Sequence, residues 1–135
     1  MKKFEFLEHT ADIKFRVYGK TLKKIFENTA LAISKIISKD KKILSKKKKT
    51  ISLKGKDKEK LMYNFIDEII YLLDAENFVV AQVKVKVKGD HLSAVFYGDD
   101  TKNYKNLDQI KSATYHEMYV KKTKSGWEAQ AVVDV

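Results

Sequence analysis

Val83, Val85 and Val87 alternate without a break with Lys84, Lys86 and Lys88, and Leu92, Ala94 and Phe96 take up the same pattern after Gly89-Asp90. A repeat of two places successive side chains on opposite faces of a strand. Each of these segments is therefore apolar on one side and wet on the other. That arrangement is stable in an antiparallel sheet with a single face covered. Gly89-Asp90 reads as the compact turn between them, in the reverse order of the favoured Asp-Gly. Val79 and Ala81 extend the apolar parity backwards, with Gln82 on the wet side.

The rest of the chain must supply the cover. Leu22, Ile25, Phe26, Thr29, Ala30, Ile33, Ile36 and Ile37 recur at helical spacing, which predicts a helix from about Thr21 to Ser38 with one apolar face. Asp57 is placed to cap a second helix, whose wide apolar face is Leu61, Met62, Phe65, Ile66, Ile69, Ile70 and Leu73. Met62 belongs to that core face, and Asp67-Glu68 to its solvated side. Phe4 and Phe6 predict a short strand; Ile13, Phe15 and Val17 predict a half-buried one that ends at Gly19. Lys46 to Lys49 and then Ile51 and Leu53 fit an exposed strand or hairpin with a solvated face. Gly98 to Gln109 reads as a polar loop. Thr114, His116, Met118 and Val120 share one parity, and Trp127, Ala129, Ala131, Val133 and Val135 another. The sum is an α+β, two-layer domain, mainly antiparallel sheet with two amphipathic helices on one face, in a single unit over residues 1–135.

Composition narrows the chemistry. The absence of cysteine excludes disulfides and thiolate catalysis. No apolar run approaches the roughly 20 residues of a membrane helix, and charges interrupt the first residues where a signal peptide would be apolar, so the expected location is cytoplasmic. The formal charge of +10, from 28 basic and 18 acidic residues, is compatible with a nucleic-acid partner. Arg16 is the single arginine, and arginine is the side chain that reads guanine edges and clamps phosphate through two bonds. Lysine-rich faces predict a salt-sensitive, unspecific affinity for RNA. The five glycines are scattered through turns and form no phosphate-binding loop.

Acidic residues at two distant points stand out. Asp12 lies on the polar parity of its strand, opposite Ile13, Phe15 and Val17; Asp134 lies on the polar parity of the last strand, and Val135 carries the α-carboxylate. If those strand ends are neighbours, three negative groups meet. Two charges about 4 Å apart repel by about 1 kcal/mol in water and about 4 kcal/mol at an effective dielectric of 20. A cation relieves this, and an all-oxygen donor set points to the hard ions Ca²⁺ or Mg²⁺. The alternative is that Asp12 caps a turn and Asp134 is solvated at a frayed end. His9 is open to three readings: a ligand, a hydrogen-bond partner of one, or a turn residue. The parity of His116 predicts a half-buried, hydrogen-bonded histidine, and His91 an exposed one beside a turn.

Several blocks carry a resemblance. LEHTADIKFRVYGKTLKKIFENTALAI, DKEKLMYNFIDEIIYLLDAENFVV, IKSATYHEMYV and GWEAQAVVDV, in that order and over nearly the whole chain, resemble the archease family. Lys14 stands where that family often has a small residue. The resemblance implies an accessory protein with no catalytic residues of its own. Such a protein activates the tRNA-splicing RNA ligase, promotes transfer of GMP to the ligase's catalytic histidine and permits multiple turnover in joining tRNA halves. It also implies a metal site made by Asp12, Asp134 and Val135, the last through its α-carboxylate, for a divalent cation, Ca²⁺ first, with Mg²⁺ or Mn²⁺ as alternatives. The expected partner is the ligase's catalytic subunit, with tRNA or RNA meeting the lysine-rich faces and no membrane involved. Two rivals remain: a metal-dependent phosphoester hydrolase using Asp12, Asp134 and His9, and a basic RNA-binding or chaperone-like module working through Lys46 to Lys49.

Overall fold

The computed structural model describes residues 1–7 and 11–135. Seven strands and two helices follow the order β1 (Phe4–Leu7), β2 (Asp12–Gly19), α1 (Leu22–Ser38), β3 (Lys47–Lys54), α2 (Lys58–Glu76), β4 (Phe78–Lys88), β5 (His91–Asp100), β6 (Ser112–Thr123) and β7 (Gly126–Asp134). The helices start where their caps dictate. The Thr21 hydroxyl accepts from the Lys24 N–H at 3.3 Å, and the Asp57 carboxylate accepts from the Lys60 N–H at 2.7 Å. Each satisfies a backbone donor that the first helical turn leaves unpaired. Helix α2 stops at Asn77, which takes the left-handed conformation at φ 52° that asparagine tolerates better than most residues.

All pairings are antiparallel, as the alternation predicts, but the strands divide between two sheets, ordered β1-β2-β7-β6 and β3-β5-β4. Each helix packs against strands of both sheets. The core between them includes Phe15, Phe26, Phe65 and Phe96, all at or below 1% exposure. The alternation foreseen for β4 breaks at Ala81, which the ladder skips between Val80 and Gln82. Phe78, Val79 and Val80 are consequently all buried. Gly98 faces Val80 there, and a Cβ on it would come within 2.0 Å of the Val79 carbonyl oxygen.

Gly98 to Gln109 is more ordered than a polar loop. Strand β5 continues to Asp100, and a 3-10 turn spans Thr101–Asn103. Asp99 is only 2% exposed, and its carboxylate accepts from the Tyr104 hydroxyl at 2.8 Å, the Asp100 N–H at 2.8 Å and the Asn103 amide at 3.1 Å. Tyr104 in turn accepts from the Leu44 N–H at 2.9 Å, tying the α1–β3 connection to the same corner. These donors, Tyr104 foremost, hold the Asp99 carboxyl below its ordinary value of 3.8. Its stabilising effect is therefore complete above that ordinary value and fades as the pH falls through the lower folded one. Asp99→Asn lowers the Tm at neutral pH, and the gap from wild type narrows on acidification below about pH 4, as thermal melts across pH will show.

Candidate metal centre

The site begins with strand register. Strand β2 opens at Asp12 and β7 closes at Asp134, and the two are direct cross-strand partners. Ile13 faces Val133, Phe15 faces Ala131 and Val17 faces Ala129. These apolar pairs turn to the core, so Asp12 and Asp134 share the opposite, outer face of the sheet. Strand β6 adds Ser112 on the far side of Asp134. The Ser112 hydroxyl donates to Asp134 Oδ2 at 3.2 Å, and the Lys111 N–H donates to the Asp134 carbonyl at 2.8 Å. One end of the sheet thus carries the row Asp12, Asp134, Ser112. Both aspartates are half-buried, and Val135, next along the chain, is 43% exposed.

Carboxylates directly opposite in an antiparallel pair hold their Cβ atoms about 4.5–5.5 Å apart, close enough for like charges to destabilise the pair. The donor chemistry fits a hard cation: the two side-chain carboxylates fixed by the ladder offer oxygens only. Among the described residues no three His, Cys, Asp or Glu side chains gather at one point. His9 lies outside the described residues.

The next row up the face is Lys14, Val132 and Thr114, after which β6 leaves the ladder until Tyr119 meets Gln130. Residues 115–118 stand against Ala131 alone, a large bulge. Within it Glu117 takes φ 56°, an uncommon conformation for a residue with a side chain. Several contacts hold the excursion. The Gln130 amide donates to the Glu117 carbonyl at 2.7 Å, and the His116 N–H donates to Thr114 Oγ1 at 3.2 Å. The Tyr115 ring stacks on Tyr63 of α2, with centroids 4.2 Å apart and planes 7° from parallel. Lys14 Nζ sits 3.5 Å from Glu117 Oε1, so the bulge supplies a countercharge to the lysine one row from the aspartates. Arg16 is engaged as well: its Nε donates to Gln130 Oε1 at 2.9 Å. Beside it Tyr119 donates to Glu128, and burial, reinforced by that carboxylate, pushes the phenol up to about 12.

The bulge corrects one expectation. His116 does not share a buried parity with Met118 and Val120. Its side chain is 67% exposed, with Nε2 3.4 Å from Glu117 Oε2, because the extra residues reset which side chains face the core. Ala113 and Val120 are the buried ones. His91 is exposed, as expected, with Nδ1 2.7 Å from Asp90. Ser112, Tyr115 and Glu117 escaped the sequence reading. Only the abrupt loss of alternation in SATYHEMYV hints at them.

Comparison with known proteins agrees with this arrangement of elements. The model of the Archease protein family (MTH1598/TM1083) matches residues 4–135. The chain is 38% identical to the archease of Methanosarcina barkeri, over 99% of this chain and 97% of that one. It is 37% identical to the archease of Pyrococcus abyssi, over the full length of both. Among solved structures, Methanobacterium thermoautotrophicum protein 1598 superposes with a TM-score of 0.81 at 27% identity, each chain covered completely. The Thermotoga maritima archease, at 20% identity and a TM-score of 0.62 over 96% of this chain and 94% of that one, shares the fold. On the extent of the family match and the identity to these relatives, this chain belongs to the archease family.

Proposed function

We propose that the protein is an accessory activator of the tRNA-splicing RNA ligase, with no catalytic residues of its own, that presents a divalent cation from the end of its four-stranded sheet. The observation that carries this reading is the Asp12–Asp134 register in a chain of the archease family. Asp12 and Asp134 would hold the ion with the Val135 α-carboxylate, and Ser112 would fix the orientation of the Asp134 carboxylate through its 3.2 Å hydrogen bond. When bound, the cation, Ca²⁺ by preference, supplies charge neutralisation for phosphate oxygens during nucleotidyl transfer, with positions left over because three carboxylates are fewer than the six to eight oxygens Ca²⁺ takes. The chain's own part is to place and expose the site. The apolar rows beneath fix the strand ends, the Tyr115–Tyr63 stack and the Gln130 bond fix the neighbouring bulge, and the exposed Val135 leaves the tip accessible to a partner's active site.

A ligation time course with ligase substoichiometric to tRNA halves tests this. Multiple turnovers are expected only with the protein present and a divalent ion available. Unchanged single-turnover behaviour removes the activator reading, and phosphate release from nucleotides or RNA by the isolated protein supports the hydrolase instead. A neutral tail of a few residues after Val135 displaces the α-carboxylate. It is expected to reduce turnover to near the ligase-alone level without altering the circular dichroism spectrum.

A further inference from the structure

The strands of the three-stranded sheet place no acidic side chain on its outer face; negative charge stands only at its borders, where Asp90 lies 2.7 Å from His91 and Glu27 of α1 accepts from the Val85 N–H at 3.0 Å along the β4 edge. Along its central strand β5 run His91, Ser93, Val95 and Tyr97. Strand β3 flanks them with Lys48, Thr50, Ser52 and Lys54, each in register with one of the four. Strand β4 flanks them on the other side with Gln82, Lys84, Lys86 and Lys88. Of these twelve positions five are lysine and none is acidic. Val95 and Tyr97 are half-buried and the rest are exposed. Among the described residues no ion pair engages any of the five lysines. The lysines of the same strand that point the other way are neutralised: Lys47 lies 3.7 Å from Asp100 and Lys49 lies 2.7 Å from Glu76. Strand parity thus separates Lys47 and Lys49, which are paired, from Lys48, which is aimed at solvent.

We infer that this face is a docking platform for single-stranded RNA. Lysines on alternate residues of one strand repeat every ~7 Å, a row of point charges that tracks a phosphate backbone. The central stripe gives a base something to lie on, Tyr97 with Val95 beside it, and the hydroxyls of Thr50, Ser52 and Ser93 offer polar partners between the charged rows. A positively charged track with an aromatic platform is the combination that binds single strands without reading sequence. A second copy of the chain does not fit, because lysine rows would meet lysine rows. A lipid surface fits poorly, because no large apolar side chain projects from the face to enter it. Arg16 is occupied by Gln130, so the affinity rests on lysine and is unspecific and salt-sensitive.

The test is fluorescence anisotropy of a labelled 20-nucleotide single-stranded RNA, in EDTA and without ligase, so that its result is independent of the activator reading. Lys84→Glu, Lys86→Glu and Lys88→Glu together are expected to weaken binding more than tenfold and to make the slope of log K against log salt shallower by about 2. Tyr97→Ala is expected to weaken it about tenfold. Reversing the exposed Lys42, Lys105 and Lys124, with the same change in net charge, is expected to cost less than threefold. The milder Lys84→Gln, Lys86→Gln and Lys88→Gln set keeps the test decisive should the glutamate set unfold. Equal losses from the two reversal sets would mean that bulk charge alone attracts RNA and would overturn the proposal. So would an unaffected Tyr97→Ala, or comparable affinity for polyglutamate or for phosphatidylserine vesicles.

Discussion

Asp134→Asn is expected to abolish the stabilisation that Ca²⁺ would give through the proposed site, and in EDTA it is expected to melt at or above the wild type. The two effects are expected to have opposite signs because Asp12 and Asp134 are cross-strand partners of like charge and the proposed ion would offset their repulsion. An ion held at 100 times its Kd raises stability by about 2.7 kcal/mol, roughly 10 °C in Tm for a domain of this size. The variant keeps an oxygen for the Ser112 hydroxyl, so the hydrogen bond survives while one of two facing charges is gone. On the proposed activator reading, ligase turnover with Asp134→Asn is expected to fall to that of the ligase alone, and with Asp12→Asn likewise. Scanning calorimetry with Ca²⁺ and with EDTA reads both halves. A variant that melts lower in EDTA and still responds fully to Ca²⁺ assigns the carboxylates a structural role and the ion another site.

Phe65→Ala is the most damaging single truncation expected in the core, about 3–5 kcal/mol, or roughly 15 °C in Tm. Phe65 is fully buried on α2, edge-on to Phe26 of α1 at 5.3 Å and 5.6 Å from Phe96 of β5. One ring therefore joins both helices to the three-stranded sheet. Tyr71 on the same helix is 52% exposed, and Tyr71→Ala is expected to change stability by less than about 0.5 kcal/mol. A shift below about 3 °C for Phe65→Ala would show that the three elements are held by other contacts.

How much of this was legible in the sequence depended on how local each cause is. Thr21 and Asp57 were readable as helix starts because a cap acts on an N–H three residues on. The parity of β2 and β7 was readable because alternation is a property of each strand alone, and parity put Asp12 and Asp134 on polar faces. That the two strands pair in that register depends on contacts more than a hundred residues apart, and only the structure supplies it. The division into two sheets was hidden for the same reason. The bulge at 115–118 depends on the Gln130 amide and the Tyr63 ring, neither of which marks the segment itself, so His116 was placed by a parity that does not survive. Asp99 looked like one more loop acid because Tyr104 and Asn103 reach it only once the turn has formed.

The central claim is that oxygens from Asp12, Asp134 and Val135 share one cation. The most direct measurement is an anomalous difference map from crystals grown with Mn²⁺ and, separately, with Ca²⁺. The account predicts a single strong peak bonded to both side-chain carboxylates and to the Val135 α-carboxylate, at about 2.3–2.6 Å for Ca²⁺. A peak elsewhere on the molecule, with Asp12 and Asp134 facing only solvent or lysine, would contradict it.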